Sequence, residues 1–330
     1  MSKPIILVTG GTGLLGSHVI AQLLATNEYI VRGTARSAKK LRDIFPNEPR
    51  LEVVEVPDST SDHTEALKGI EAVMHLAAPI YSKAESGEAL YNGVYEGAVH
   101  IIKQAIDAGI KKIVYTGTYA ALFELLNEKS FGNVKKGEFN FKDVASDEAS
   151  LMPIYIAAKI IADKDIWDIA HQHPDVDITV LLPPAIFGPV VPNFPLTSRS
   201  NLSTNDYVYQ LVLNGPDAYP AIPVGDLVDV RDMARAHVVA LTTKPIPGKD
   251  KRFIVSGGKY NWKELADLVR RERPELAHKL PREDLERPVQ TTAPIDLTFT
   301  EKELGFSEYY PWEETVLAAL DSGLMLEKGN

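Results

Sequence analysis

The chain has 330 residues, 45% apolar and 24% charged, with 35 basic against 45 acidic side chains and a formal net charge of -10. That length predicts about two domains, or one large α/β domain with an appendage. The composition excludes a disordered chain, and the acidic balance excludes nucleic acid and membrane surfaces as default partners.

Cysteine is absent, so disulfides, thiolate zinc sites, iron–sulfur clusters and cysteine nucleophiles are excluded. No run reaches the ~18 apolar residues needed to cross a bilayer, and no separate apolar leader precedes the first strand-like run. An untargeted cytosolic protein is expected.

Seven short β-like runs recur with helical patterns between them: 5–8, 30–34, 51–56, 72–76, 112–116, 178–182 and 252–255. Several are nearly continuous in Val, Ile and Leu, as strands buried on both faces of a parallel sheet are. Strand–helix alternation predicts right-handed βαβ units and a Rossmann-type doubly wound parallel sheet.

The first strand runs into Thr9-Gly10-Gly11-Thr12-Gly13-Leu14-Leu15-Gly16, and a helical pattern follows through Leu24. Gly10, Gly13 and Gly16 have the spacing of a dinucleotide loop. One glycine makes the turn, the next lets backbone approach a pyrophosphate, and the third lets the helix pack close to the strand. Thr12, Leu14 and Leu15 complete the loop, whose helix N-terminus offers free N–H groups to an anion. The second strand ends Gly33-Thr34-Ala35-Arg36-Ser37, with Lys39 and Lys40 beyond and no acid nearby. An acid there would bind the ribose 2′-hydroxyl of NAD, whereas Arg36, with Lys40 one turn on, suits the 2′-phosphate of NADP. Asp58, after the third strand, is placed either to accept from the adenine amino group or to cap a turn.

A helix expected over 95–108 leads to the fifth strand, which ends at Thr116-Gly117-Thr118. Tyr155 and Lys159 then open a helix running to about Ala170. Residues four apart share a helix face. A free phenol holds its proton up to a pH near ~10, and a neighbouring ammonium favours the phenolate. Tyr155 could thus serve as general acid for carbonyl reduction and base for the reverse. After Leu182 the rhythm breaks: residues 183–223 carry eight prolines. Residues 228–241 and the strand at 252–255 are expected to rejoin the main domain, and a helix returns over 261–273. The reading is therefore two interleaved units: 1–182 plus 223–256 binding the cofactor, and 183–222 plus 257–330 forming a smaller, mostly α substrate lobe.

In this order the motifs resemble those of the extended short-chain dehydrogenase/reductases. The glycine loop, His75-Leu76-Ala77-Ala78-Pro79, Val114-Tyr115-Thr116-Gly117-Thr118, Tyr155 with Lys159, Pro183-Pro184-Ala185-Ile186-Phe187-Gly188-Pro189, Val228-Asp229-Val230-Arg231-Asp232-Met233-Ala234 and Leu304-Gly305-Phe306 span nearly the whole chain. Gly33-Thr34-Ala35-Arg36-Ser37 and Ala77-Ala78-Pro79 look most like the dihydroflavonol-reductase branch and its fungal carbonyl reductases of methylglyoxal/isovaleraldehyde type. The resemblance implies NADPH as hydride donor, a small ketone or aldehyde as substrate, and Tyr155, Lys159 and Thr118 as catalytic residues, with Thr116 a rival for the hydroxyl role. It implies Ala77, Ala78, Pro79, Lys159, Pro183 and Ile186 on the cofactor. Thr118 and Gly117 depart from the family's two serines. Threonine keeps the hydroxyl but adds a methyl group that stiffens the side chain.

Ile80, Tyr81, Phe123, Phe187, Tyr207 and Ile222 are candidate pocket walls. Their apolar character suits a hydrophobic or aromatic carbonyl, and the chain is expected to act as a monomer or homodimer. His75 reads as a satisfied core histidine, His100 as a helix histidine with a backbone partner, and Asp229, Arg231 and Asp232 as an interdomain salt-bridge network. His171 and His173 lack the further ligands of a metal site, and no metal is expected. Two rivals stay open. A nucleotide-sugar epimerase or dehydratase on the same fold would hold NAD and need cations for a diphosphate, yet residues 189–223 offer only Arg199. A non-catalytic NADP sensor would have no need of the tyrosine–lysine pair.

Overall fold

The computed structural model describes residues 3–79, 84–122, 151–221, 225–286 and 294–328. The described elements run β1 Ile5–Thr9, α1 Leu14–Thr26, β2 Ile30–Ala35, α2 Ala38–Ile44, β3 Leu51–Glu55, α3 Thr64–Leu67, β4 Ala72–His75, α4 Gly87–Asp107, β5 Lys112–Thr116 and α5 Met152–Gln172. They continue β6 Asp177–Leu182, β7 Ala185–Phe187, α6 Asn205–Leu213, β8 Asp226–Asp229, α7 Val230–Thr242, β9 Lys251–Ile254, β10 Gly258–Lys259, α8 Trp262–Glu272 and α9 Trp312–Lys328.

Seven strands form one sheet in the order β3-β2-β1-β4-β5-β6-β9, with every pairing parallel. They are the seven runs expected from the sequence, each within one residue at either end. A parallel sheet must be covered on both faces, and side chains alternate across it. Ile113 and Tyr115 of β5 join a core with α4 and α5. Val114 joins the opposite core, with α1 and α7. The order reverses between β1 and β4, so the crevice over their C-terminal ends is the switch point where such sheets bind ligands.

A second sheet, β10-β8-β7, stands outside this one, with β8 parallel to β7 and antiparallel to β10. It separates two cores by strand alternation. Ala185, Phe187 and Leu227 face the small lobe, while Ile186 and Val228 face the main core. The first residues of the segment 228–241 close β8, with Val228 packed in the main core. Helix α7 does pack on α1, but β8 pairs with the lobe's strands. Helix α4 begins at Gly87 rather than Tyr95, capped by the Ser86 hydroxyl, which accepts from Ala89 N at 3.1 Å. Gly87 and Gly93 in its first turns weaken the helical pattern there.

Candidate active site

The glycine loop sits at the switch point. Gly10 has φ +73, a left-handed value that favours glycine. A side-chain carbon on Gly16 would lie 2.1 Å from the Gly10 carbonyl oxygen, so only glycine lets α1 approach the turn this closely. A carbon on Gly10 would stand 3.1 Å from Ala77 Cα, which brings the loop against the segment Ala77-Ala78-Pro79. Gly13 is exposed and starts α1 with no side-chain cap and no acid in the first turn. Among the described residues the first N–H groups of the helix, beside Thr12 and the half-buried Leu15, meet no side-chain cap. That cradle fits a pyrophosphate.

At the end of β2, Arg36 and Lys40 are exposed, and neither side chain has an ion-pair or hydrogen-bond partner among the described residues. The neighbouring cations are spoken for: Arg32 is paired with Glu52 at 2.7 Å and Lys39 with Asp43 at 2.6 Å. Ser37 caps α2, accepting from Lys40 N. An unpaired arginine within reach of the loop fits an additional phosphate. Asp58 caps its turn through one carboxylate oxygen. Its Oδ1 accepts from Thr60 N, Thr60 Oγ1 and Ser61 Oγ, and the Thr60 hydroxyl bond leads the causes that hold its carboxyl below the usual range.

Tyr155 and Lys159 lie in the first turns of α5. Lys159 is 4% exposed, and its Nζ donates to Tyr115 Oη and to the Thr116 carbonyl, both at 3.1 Å. The same Nζ stands 5.0 Å from the centre of the Tyr115 ring and 6.0 Å from that of the half-buried Tyr155. Burial pulls the ammonium down to about 8, against a smaller upward pull from Asp163 one turn on. Thr118 follows β5 half-buried, its hydroxyl accepting from Ala120 N at 3.3 Å. The single turn Tyr119–Leu122 beyond it packs on α5. Thr116 takes a different role from its rival: its buried hydroxyl lies 2.7 Å from Nε2 of His237, whose Nδ1 reaches the Met233 carbonyl. The Pro183 carbonyl accepts from Tyr119 N, so the buried proline and the half-buried Ile186 border the same strand ends.

Several expectations change. Phe187 is fully buried and edge-on to Tyr260 in the small lobe, so it belongs to a core rather than a pocket wall. Tyr207 is half-buried against that core. Ile80, Tyr81, Phe123 and Ile222 lie outside the described residues. His75 is only half satisfied. Thr9 Oγ1 accepts from Leu76 N and Ala77 N, so its own proton goes to His75 Nδ1 at 2.8 Å. His75 Nε2 is left as a buried donor with no partner among the described residues. His100 meets the Gln104 side chain, not a backbone group. His171 pairs with Asp250, and no metal-ligand cluster occurs among the described residues. No described helix is long and apolar enough to cross a membrane. A depression of about 320 Å³ lined by Pro4, Glu71, Lys112 and Asp177 opens at the other end of the strands and holds none of the residues above.

Tyr115 stands inside a recognised motif, but no local spacing ties it to Lys159, which it meets across 44 residues of chain. Only the alternation of β5, which points 113 and 115 toward α5, could have suggested it.

The model of the NAD dependent epimerase/dehydratase family matches residues 6–255. An oxidoreductase of Schizosaccharomyces pombe is 31% identical, covering 96% of this chain and 97% of its own. The NADPH-dependent methylglyoxal reductase of Saccharomyces cerevisiae is 29% identical, covering 84% of each chain. The yeast methylglyoxal/isovaleraldehyde reductase solved with NADPH superposes with a TM-score of 0.78 at 23% identity, covering 98% of this chain and 99% of that one. At that identity the likeness is one of fold.

Proposed function

The chain belongs to the NAD dependent epimerase/dehydratase family, and from that premise we propose that it is an NADPH-dependent reductase of ketones and aldehydes in which Tyr155 delivers the proton. The observation that carries this reading is the buried Lys159 ammonium, fixed by two acceptors and set 6.0 Å from the Tyr155 ring. A buried ammonium has to be hydrogen-bonded, and one set beside a phenol at the sheet's switch point is a candidate for function. The relative named as NADPH-dependent and the unpaired Arg36 support the choice of cofactor.

Gly10, Gly13 and Gly16 with the open start of α1 would hold the pyrophosphate, Arg36 and Lys40 the 2′-phosphate, and Lys159 the nicotinamide ribose. When bound, the reduced nicotinamide supplies a hydride to the carbonyl carbon. The protein supplies the rest. The hydroxyls of Thr118 and Tyr155 donate to the carbonyl oxygen and stabilise the charge that develops there. Tyr155 then gives up its proton, and the Lys159 ammonium favours the phenolate that remains. Residues 1–182 with 223–256 form the cofactor-binding unit and the remainder the substrate lobe, in a cytosolic protein.

The epimerase reading loses its one candidate cation, because Arg199 forms a fork with Asp206. The test is NADPH consumption followed at 340 nm over a panel of small carbonyls that includes methylglyoxal and isovaleraldehyde. Turnover is expected with at least one member, and Tyr155→Phe should bind NADPH nearly as before while losing about 10²-fold or more in kcat. Tight NADPH binding with no turnover across the panel would favour the sensor, and full activity in Tyr155→Phe would sink the assigned mechanism.

A further inference from the structure

We propose that Tyr115 is the positioning residue of this site, its hydroxyl holding the Lys159 ammonium at the height where it meets both the cofactor ribose and Tyr155. The inference rests on the reductase reading above and extends it to a side chain that this reading does not use.

Lys159 has three N–H donors. Tyr115 Oη and the Thr116 carbonyl take two of them at 3.1 Å each, leaving one to point away from the sheet. Both acceptors come from consecutive residues of β5, so one strand sets the ammonium's position. The carbonyl belongs to a backbone fixed in the middle of the sheet, paired with β6 at Leu181. The hydroxyl sits at the end of a mobile side chain, and the structure shows what immobilises it. The Tyr115 ring is 1% exposed and stacks on His75, with ring centres 5.7 Å apart and planes 13° off parallel. His75 takes the Thr9 hydroxyl proton, and Thr9 is tied to Leu76 N and Ala77 N. A column of side chains thus runs across β1, β4 and β5 from the glycine loop to Lys159. Phenylalanine would fill the same space, and the oxygen alone reaches the ammonium.

Burial and Asp163 set the charge state of Lys159, and titratable groups of several elements surround it. Asp163 on α5 favours the ammonium, and is itself engaged by Arg252 of β9. Tyr155 lies on the same helix, and His75 on β4 stays neutral, pulled down to about 3 by burial and then by Lys159. On α4, packed against α5, Tyr91 and Tyr95 couple to Asp165 and Glu96. Burial outweighs the pull of Asp163 and brings Lys159 to about 8. A hydrogen bond accepted by Tyr115 stabilises the ammonium more than the amine, so losing it lowers that value further.

The experiment compares kcat/KM for NADPH against pH in the wild type and in Tyr115→Phe, with the best carbonyl of the panel. The wild-type alkaline limb is expected near pH 8. In Tyr115→Phe it should move down by about one pH unit, which is about an 8-fold loss at pH 8.5 but less than about 3-fold at pH 6. A residue that only packs would lower the melting temperature and leave the limb in place, so superimposable limbs overturn the inference. If Tyr115→Phe does not fold, 3-fluorotyrosine at 115 keeps the ring and weakens the oxygen as an acceptor. It should shift the limb the same way by less, and an unmoved limb again overturns the inference. Tyr155→Phe and Lys159→Met run alongside. If either keeps wild-type turnover, the reductase reading falls and takes this inference with it. If both lose turnover while the Tyr115 limb stays put, this inference alone falls.

Discussion

At the residue scale, the choice between two dinucleotides rests on Arg36. Its guanidinium is exposed and unpaired among the described residues, although Glu52 and Asp43 engage cations close by. A charge-assisted bond to phosphate is worth roughly ten- to a hundredfold in affinity. Arg36→Asp removes that bond and adds repulsion. We expect its Kd for NADPH to rise about 30-fold or more and its Kd for NADH to change by no more than a few-fold, both read by nucleotide fluorescence. Equal effects on the two would refute the 2′-phosphate assignment. As candidates, Arg36, Tyr155 and Lys159 are legible in the sequence because each stands at a fixed spacing from a local signal: a strand end, or one helical turn. Tyr115 and His75 were not legible, because their roles arise from stacking and hydrogen bonds between strands distant in the chain. Phe187 misled for a related reason. An aromatic side chain in a proline-rich stretch suggests a pocket wall, but strand alternation in β7 turns it into a core.

At the element scale, the seven buried strands were legible because parallel strands covered on both faces read as continuous apolar runs. The three strands of the outer sheet, Ala185–Phe187, Asp226–Asp229 and Gly258–Lys259, are too short to show a period. Helix α1 gives the element-scale prediction. Its approach to the turn depends on Gly16, where an added carbon meets the Gly10 carbonyl at 2.1 Å. Backbone cannot yield as a flexible side chain can, so Gly16→Ala must push the start of α1 away from Gly10. Overpacking of this kind costs about 1–3 kcal/mol, and it displaces the N–H groups that would face the pyrophosphate. We expect a lower urea midpoint together with NADPH binding weakened about 10-fold or more. A variant that binds NADPH as the wild type does would show that the turn does not form the phosphate cradle.

At the scale of the whole molecule, α7 bridges the core of the main sheet and the second core around β7 and β8. That helix packs on α1 beneath the main sheet, while its N-terminus is bound into the small lobe. Asp229, fully buried at its side chain, caps the helix by accepting from Arg231 N, takes the Arg231 guanidinium as a fork and accepts from Thr315 Oγ1 of α9. Arg231 also reaches Glu314 and lies 3.5 Å from the centre of the Tyr310 ring. Asp232 takes Tyr310 N and Arg235. The network expected from the sequence is thus a seam between α7 and the segment entering α9. Breaking a buried pair strands the remaining charge, at a cost of about 3–5 kcal/mol. Asp229→Ala should therefore lose about 3 kcal/mol or more of stability, since Glu314 still offsets part of the Arg231 charge. The loss should also be uneven across the molecule. Trp262 and Trp312 lie in the small lobe and Trp167 in the α4–α5 core. In the wild type, tryptophan fluorescence and far-ultraviolet dichroism should report one coincident urea transition. In Asp229→Ala the fluorescence transition should come first, because the lobe loses its anchor while the parallel sheet keeps its own core. A variant whose two signals remain coincident at the wild-type midpoint would show that the seam does not hold the lobes together.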